Sequence, residues 1–190
     1  MRRSKGFGYR LFAALVLAVA FTSLIGCDLQ EKKQGSAGKL DPSWSVYFSP
    51  DGGATDAIVS ELDKAQKTVL VQAYSFTSAP IAKALSEAHK RGVDVQVILD
   101  KSQVTQKYSS ADFLSHAGIP TWIDSAHSIA HNKVMIVDGK TVITGSFNFT
   151  KAAEEKNAEN LLILNDKKLA ERYIENWKEH KEHSEPYVGK

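Results

Sequence analysis

His131 and Lys133 stand two residues apart at the start of the run Ile129–Thr150, IAHNKVMIVDGKTVITGSFNFT. In an extended strand, residues two apart point to one face. An imidazole and an ammonium would then be presented together to an anionic substrate. Asp138-Gly139-Lys140 separates two β-rich runs, Val134–Val137 and Thr141–Thr144, and reads as a hairpin turn. A hairpin brings its flanks together, so Ser146 and Asn148 are expected beside His131 and Lys133. The set comprises a nucleophile or general base, a fixed cation and two neutral donors. Phosphoryl transfer needs such groups, because negative charge builds on the equatorial oxygens of its transition state. Gly145, without a side chain, would let the backbone approach a phosphate closely.

Blander roles compete for the same residues. His131 alone could be a structural histidine. His127 and His131 are four apart, a spacing that holds a metal on a helix, but Ser128-Ile129-Ala130 is not helical in character and no HExxH pattern exists. No metal site and no cofactor are therefore expected. His180 and His183 fall on a charged, frayed C-terminus and read as solvated surface, as does Glu154-Glu155-Lys156. Tyr74, Phe76, Trp122, Phe147 and Phe149 could stack on bases, but at strand ends such residues more often belong to the core. Alternation turns Phe147 away from its neighbours Ser146 and Asn148.

The elements that must position these residues follow from local pattern. Ser45–Phe48 reads as a short strand closed by a Pro-Asp-Gly-Gly turn. Thr55–Ala65 carries apolar residues at helical spacing. Thr68–Ala73 and Val93–Leu99 are strands. Between them Ala79–Arg91 is a helix with Pro80 in its first turn and Gly92 as its stop. Ala111–Ala117 is a short helix, Thr121–Ile123 a short strand, Leu161–Leu164 a strand, and Leu169–His180 an amphipathic helix. Strands alternating with helices indicate an α/β protein, a layered α/β/α sandwich with a mixed central β-sheet.

Charge and leader bound the setting. The chain of 190 residues has 24 basic and 22 acidic residues and a formal net charge of +2. Arg2, Arg3, Lys5 and Arg10 are four of those basic residues, and the first 27 positions hold no acid. The remainder has 20 basic against 22 acidic residues, a net charge near −2. A globally basic nucleic-acid-binding surface is thereby excluded, and phosphate binding must be local. Residues 1–27 read as an export leader: a basic start, an apolar run from Leu11 to Gly26, then Leu24-Ile25-Gly26-Cys27, which resembles a bacterial lipobox with Cys27 as the lipidated residue. Cleavage after Ala18-Val19-Ala20, giving a soluble exported protein, and an uncleaved anchor are the other readings. Cys27 is the single cysteine, so a disulfide framework is excluded. Residues 28–42 read as a flexible polar tether, and residues 43–190 as the folded domain. The expected location is exported: periplasmic, or held at the membrane by an N-terminal lipid.

His131-x-Lys133-x4-Asp138-Gly139, followed by Gly145-Ser146-x-Asn148, resembles the HxKxxxxD signature of the phospholipase D superfamily. VLVQAYSFTSAPIAKAL (Val69–Leu85) and KRGVDVQVILDKSQ (Lys90–Gln103) resemble the small bacterial periplasmic endonucleases of that superfamily. The resemblance covers residues 44–181. It implies a phospholipase D-like fold and a metal-independent phosphodiesterase. In it His131 is the nucleophile that forms a phosphohistidine, Lys133 and Asn148 hold the phosphate oxygens with Ser146 beside them, and Glu159 orients the histidine. Asp138 belongs to the signature but lies far along the strand from His131, so a structural role is expected. Two histidines are needed and the signature occurs once. The resemblance therefore implies a homodimer sharing two copies of His131. The expected substrate is DNA, with RNA also open, cut with little sequence preference. The alternative is a membrane phospholipid of the cardiolipin type. Lys101, Lys107, Lys140 and Lys151 are candidates for a basic rim that would favour nucleic acid.

Overall fold

The computed structural model describes residues 38–41 and 43–190. The expected leader 1–27, with Cys27, and the tether up to residue 37 lie outside the described residues. The elements in chain order are β1 (Gly38–Asp41), β2 (Trp44–Ser49), α1 (Ala54–Lys64), β3 (Thr68–Ala73), α2 (Ala79–Lys90), β4 (Asp94–Asp100), α3 (Ala111–His116), β5 (Thr121–Asp124), β6 (Lys133–Val137), β7 (Thr141–Gly145), α4 (Lys151–Glu155), β8 (Glu159–Asn165), α5 (Lys167–Glu182) and β9 (Glu185–Tyr187).

Nine strands form one mixed sheet in the order β1-β2-β8-β7-β6-β3-β4-β5-β9. The pairs β3–β4 and β4–β5 are parallel, and every other pair is antiparallel. Helices cover both faces. On one side α1, α2, α3 and α4 pack through Ile58, Leu62, Ile81, Leu85, Leu114 and Ala153 onto Val71, Leu99 and Met135. On the other, α5 alone covers Ile98, Val134, Ile136 and Val142 with Ala170 and Trp177. The Trp177 indole N–H donates to the Val71 carbonyl at 3.0 Å, which satisfies its buried polar end. The layered α/β/α architecture with a mixed sheet is the observed fold.

Helix ends follow local chemistry. Asp166 caps α5 by accepting from the Lys168 and Leu169 N–H groups, and Thr150 caps α4 by accepting from Ala153 N–H. The segment Glu154-Glu155-Lys156, expected as a solvated face, is in part this helix. Glu154 accepts from the Gly53 and Thr55 N–H groups and so holds the start of α1. Two strands were not expected. β1 falls inside the segment read as tether, and β9 forms in the terminal residues read as frayed. Both are edge strands held by main-chain pairing, which side-chain periodicity does not announce. Phe76, Phe147 and Phe149 are fully buried, so they are core and not base-stacking surface.

The topology selects one edge of the sheet. The C-terminal ends of the parallel strands β3, β4 and β5 lie there, together with the start of β6, the end of β7 and the start of β8. The register shows this directly, with Ala73 opposite Lys133, Gly145 opposite Leu161 and Ser49 opposite Glu159. Ser125–Asn132 crosses this edge from β5 to β6, passing the ends of β4 and β3. It is tied down on the way by Ala130 N–H donating to Asp100 Oδ2 at 2.7 Å and by Tyr74 N–H donating to the Asn132 carbonyl at 2.8 Å.

Candidate active site

His131 is the last loop residue but one before β6, and it is exposed. Its ring packs against that of Tyr74, which follows β3, with centroids 4.5 Å apart and planes tilted by 53°. Among the described residues no hydrogen bond engages the ring nitrogens. Lys133, the first residue of β6, is only 7% exposed. Its ammonium donates to the His131 carbonyl at 2.8 Å and sits 4.9 Å from the centre of the Tyr74 ring. Burial pushes the Lys133 ammonium below the usual lysine range, and the Glu159 carboxylate nearby offsets part of that shift. A buried cation and a free imidazole thus share the edge with Tyr74 packed against both.

Ser146 and Glu159 meet from β7 and β8. Ser146 Oγ donates to Glu159 Oε2 at 2.6 Å, and Asn157 Nδ2 donates to Glu159 Oε1 at 3.0 Å. Ser49 Oγ accepts from the Glu159 N–H at 3.2 Å and donates to the Asn157 carbonyl at 3.0 Å, which fixes the start of β8 against β2. Ser49 and Asn157, neither singled out in the sequence, therefore position Glu159. Only their place at the ends of paired strands reveals it. In the single chain Glu159 is held by Ser146 and Asn157, while the expected hydrogen bond to His131 is not formed. Asn148 is half-buried, and its side-chain carbonyl oxygen has no hydrogen-bond partner among the described residues.

Gly145 has a different reason from the one expected. A Cβ there would lie 2.3 Å from the Asn160 carbonyl oxygen, and its φ is +148°. The close approach it permits is to the backbone of β8, whose Asn160 carbonyl accepts from the N–H groups of Ser146 and Phe147. Glycine at 145 is what allows the turn that aims Ser146 at Glu159.

Asp138 lies at the other end of the β6–β7 hairpin. Its carboxylate accepts from the N–H groups of Gln66, Lys67 and Thr68 at 2.7–3.1 Å. Burial pushes the carboxyl up, but the donors Lys67, Thr68 and Gln66 outweigh it and hold the group below its ordinary value. Seven residues of strand and turn separate it from His131, roughly 20 Å at the strand rise. Lys140 shares that far end, so it is no part of a rim at the active edge. The hairpin's length carries it away. Lys101 is bound to the His127 carbonyl at 2.9 Å, Lys107 lies over the Tyr108 ring, and Lys151 pairs with Glu155 one helical turn on.

The described residues also gather a second group at this edge, around Asp124. His180 and His183 were expected as solvated surface. Instead their rings turn onto the buried Asp124 carboxylate, because α5 crosses the sheet and ends over β5. The metal-free expectation overlooked this group because its members are up to 59 residues apart in sequence.

Comparison with known proteins agrees with the geometry. Residues 58–181 match the family described as "Cardiolipin synthase, PLD-like domain". The crystal structure of a phospholipase D family member, Nuc from Salmonella typhimurium, superposes with a TM-score of 0.74 at 45% identity, covering 77% of this chain and 99% of that one. A phospholipase D of Rickettsia felis is 47% identical over 133 residues, 70% of this chain and 66% of that protein. The chain thus spans just under two thirds of that relative's length. A mitochondrial cardiolipin hydrolase of Xenopus tropicalis is 34% identical over 110 residues, 58% of this chain and 52% of that protein. The chain belongs to the phospholipase D-like family.

Proposed function

We propose that this protein is a phosphodiesterase, a hydrolase that cleaves DNA, and RNA as a related substrate, without a metal ion and with an active site shared by two copies of the chain. The observation that carries the chemistry is the exposed, unbonded His131 imidazole next to the buried Lys133 ammonium. A nucleophile needs a free nitrogen, and a phosphate needs a fixed positive charge within reach. In the first step a His131 nitrogen attacks phosphorus. A P–N bond forms, the P–O bond to the leaving alkoxide breaks, and the alkoxide takes a proton from the partner's His131. In the second step water gives a proton to the partner's His131 as its oxygen displaces the histidine. Lys133, Ser146 and Asn148 hold the phosphate oxygens, and Glu159 stabilises the imidazolium once substrate draws the site together.

A second general acid from the same chain has no support in the fold. His89 and His116 close α2 and α3, and the crossover topology puts those helix ends at the opposite edge of the sheet. His127, His180 and His183 surround Asp124. Two copies of His131 across a symmetric interface supply what one chain lacks. The nucleic-acid reading is supported by the likeness to Nuc, a chain matched almost end to end by this domain. Membrane attachment through Cys27 belongs to the same proposal and would hold the domain outside the cytoplasm.

Lipid is the second reading. Ile129, two residues before His131, is 56% exposed, and Phe48, beside the Ser49–Glu159 corner, is 59% exposed. Apolar residues flanking the site suit an acyl chain, and relatives named phospholipase D and cardiolipin hydrolase point the same way. The test is plasmid nicking by the purified protein in EDTA, run beside hydrolysis of cardiolipin vesicles. Nicked plasmid with intact lipid is expected. Intact plasmid with hydrolysed lipid would transfer the same histidine chemistry to a membrane substrate. Loss of nicking in EDTA that magnesium or calcium restores would overturn the metal-free step.

A further inference from the structure

Asp124 ends β5 with its side chain wholly buried. A carboxylate removed from water needs a cation or a full set of donors. Its ion-pair partners among the described residues are three histidines, each charged only when protonated. His127 Nδ1 lies 3.1 Å from both carboxylate oxygens, His180 Nδ1 2.8 Å from Oδ2, and His183 Nε2 3.3 Å from Oδ2. The three rings pack on one another with centroids 4.9, 5.1 and 5.3 Å apart. One donor atom from each of the four residues lies within 4.8 Å of the others. Behind them Gln72, 2% exposed, lines a small cavity with Asp124 and His180, and neither polar atom of its amide has a partner among the described residues.

We propose that Asp124, His127, His180 and His183 bind one divalent transition-metal ion of the zinc class, which fastens the loop leading to His131 onto the C-terminal helix. Three imidazoles and one carboxylate are a donor set that suits zinc and its neighbours and not magnesium or calcium, which take oxygen ligands. Tetrahedral zinc with bonds of ~2.0–2.1 Å places its donors about 3.4 Å apart. The present spread closes to that by side-chain rotation, since the His127 and His183 side chains are 46% and 37% exposed and free to swing while His180 and Asp124 are packed.

The site's place in the fold gives it a task. It lies at the end of β5, three strand spacings from β6, about 14 Å, so the ion stands apart from the phosphoryl group. His127 is four residues before His131, in the loop that crosses the sheet edge. His180 and His183 are on and just beyond the last turn of α5, which is further held by Lys181 stacked on Trp122 with its ammonium 4.2 Å from the ring centre. An ion bound here cross-links the two segments and limits the positions open to the nucleophile.

The test uses the whole protein, stripped with EDTA, dialysed, and titrated with zinc chloride by calorimetry and with cobalt chloride by visible absorption. One ion per chain is expected, with the intense visible bands of four-coordinate cobalt and a rise in Tm with zinc. His180→Ala and His183→Gln each weaken binding at least tenfold and remove the Tm rise, whereas His89→Ala and His131→Ala retain both. His183→Gln changes an exposed ring, so circular dichroism on that variant separates lost binding from lost fold. No uptake by the stripped protein overturns the site, as does uptake that survives both variants or disappears with His131→Ala. None of these readouts depends on which phosphodiester is cleaved.

Discussion

Two groups of histidine sit on one edge of the same sheet and are built in opposite ways. His131 is exposed, free of side-chain hydrogen bonds and backed by a buried ammonium. His127, His180 and His183 are all committed to one buried carboxylate, whose pKa falls to about 2 because their hydrogen bonds outweigh the cost of its burial. The difference separates attack from attachment. Under the proposed mechanism His131 forms and breaks a bond to phosphorus, which requires an available lone pair. Each ring around Asp124 instead commits one nitrogen to the carboxylate. Lys133 shows the cost of the first arrangement, a cation kept out of water whose burial the nearby Glu159 carboxylate offsets only in part.

The comparison can be broken most sharply at His131. His131→Ala is expected to lower phosphodiesterase turnover by at least about 10³-fold while leaving Tm within a degree or two. Activity at more than trace level would move the nucleophile elsewhere. Lys133→Met comes next. It should reduce turnover by about 10²-fold through loss of the oxygen-binding charge. It should also raise stability by about 1 kcal/mol, because a buried charge that Glu159 offsets only in part is exchanged for an apolar chain of similar length. Thermal melts beside kinetics check both, and a Tm that falls would mean that Glu159 and Tyr74 compensate the ammonium fully.

Gly145→Ala probes the corner where β7 meets β8, on the side of His131 away from Asp124. The added methyl meets the Asn160 carbonyl, so a loss of about 1–3 kcal/mol is expected, with a fall in activity as Ser146 and Glu159 are displaced. Urea melts would settle it. Asp138→Asn is the smallest and tests the far end of the hairpin. Its carboxyl is held below 3.8 in the folded state, so its contribution is present above about pH 4 and is lost as pH falls through the lower folded value. The variant should lose ~1–2 kcal/mol at neutral pH and show a flatter decline in acid, with catalysis changed little because the site is remote. Equal acid profiles for the two proteins would remove the carboxylate's structural role.

Much of the active edge was legible before the fold. The turn Asp138-Gly139-Lys140 between β-rich runs placed His131 and Ser146 on neighbouring strand ends, and the alternation of apolar runs with capped helices called for a layered α/β protein. Less legible was what each group touches. Gly145 is also required by the close passage of β8, Glu159 is gripped by Ser49 through the main chain, and Lys140 is carried to the wrong end of the hairpin.

By itself the sequence determined the periodic elements, the hairpin and the residue types of the candidate site, because these are encoded in neighbours a few residues apart. Only the tertiary structure decided the strand order, the second core under α5, and the meeting of His180 and His183 with Asp124. That meeting depends on which face of the sheet α5 covers, and burial of Ala170 and Trp177 settles it across a separation that no local pattern spans.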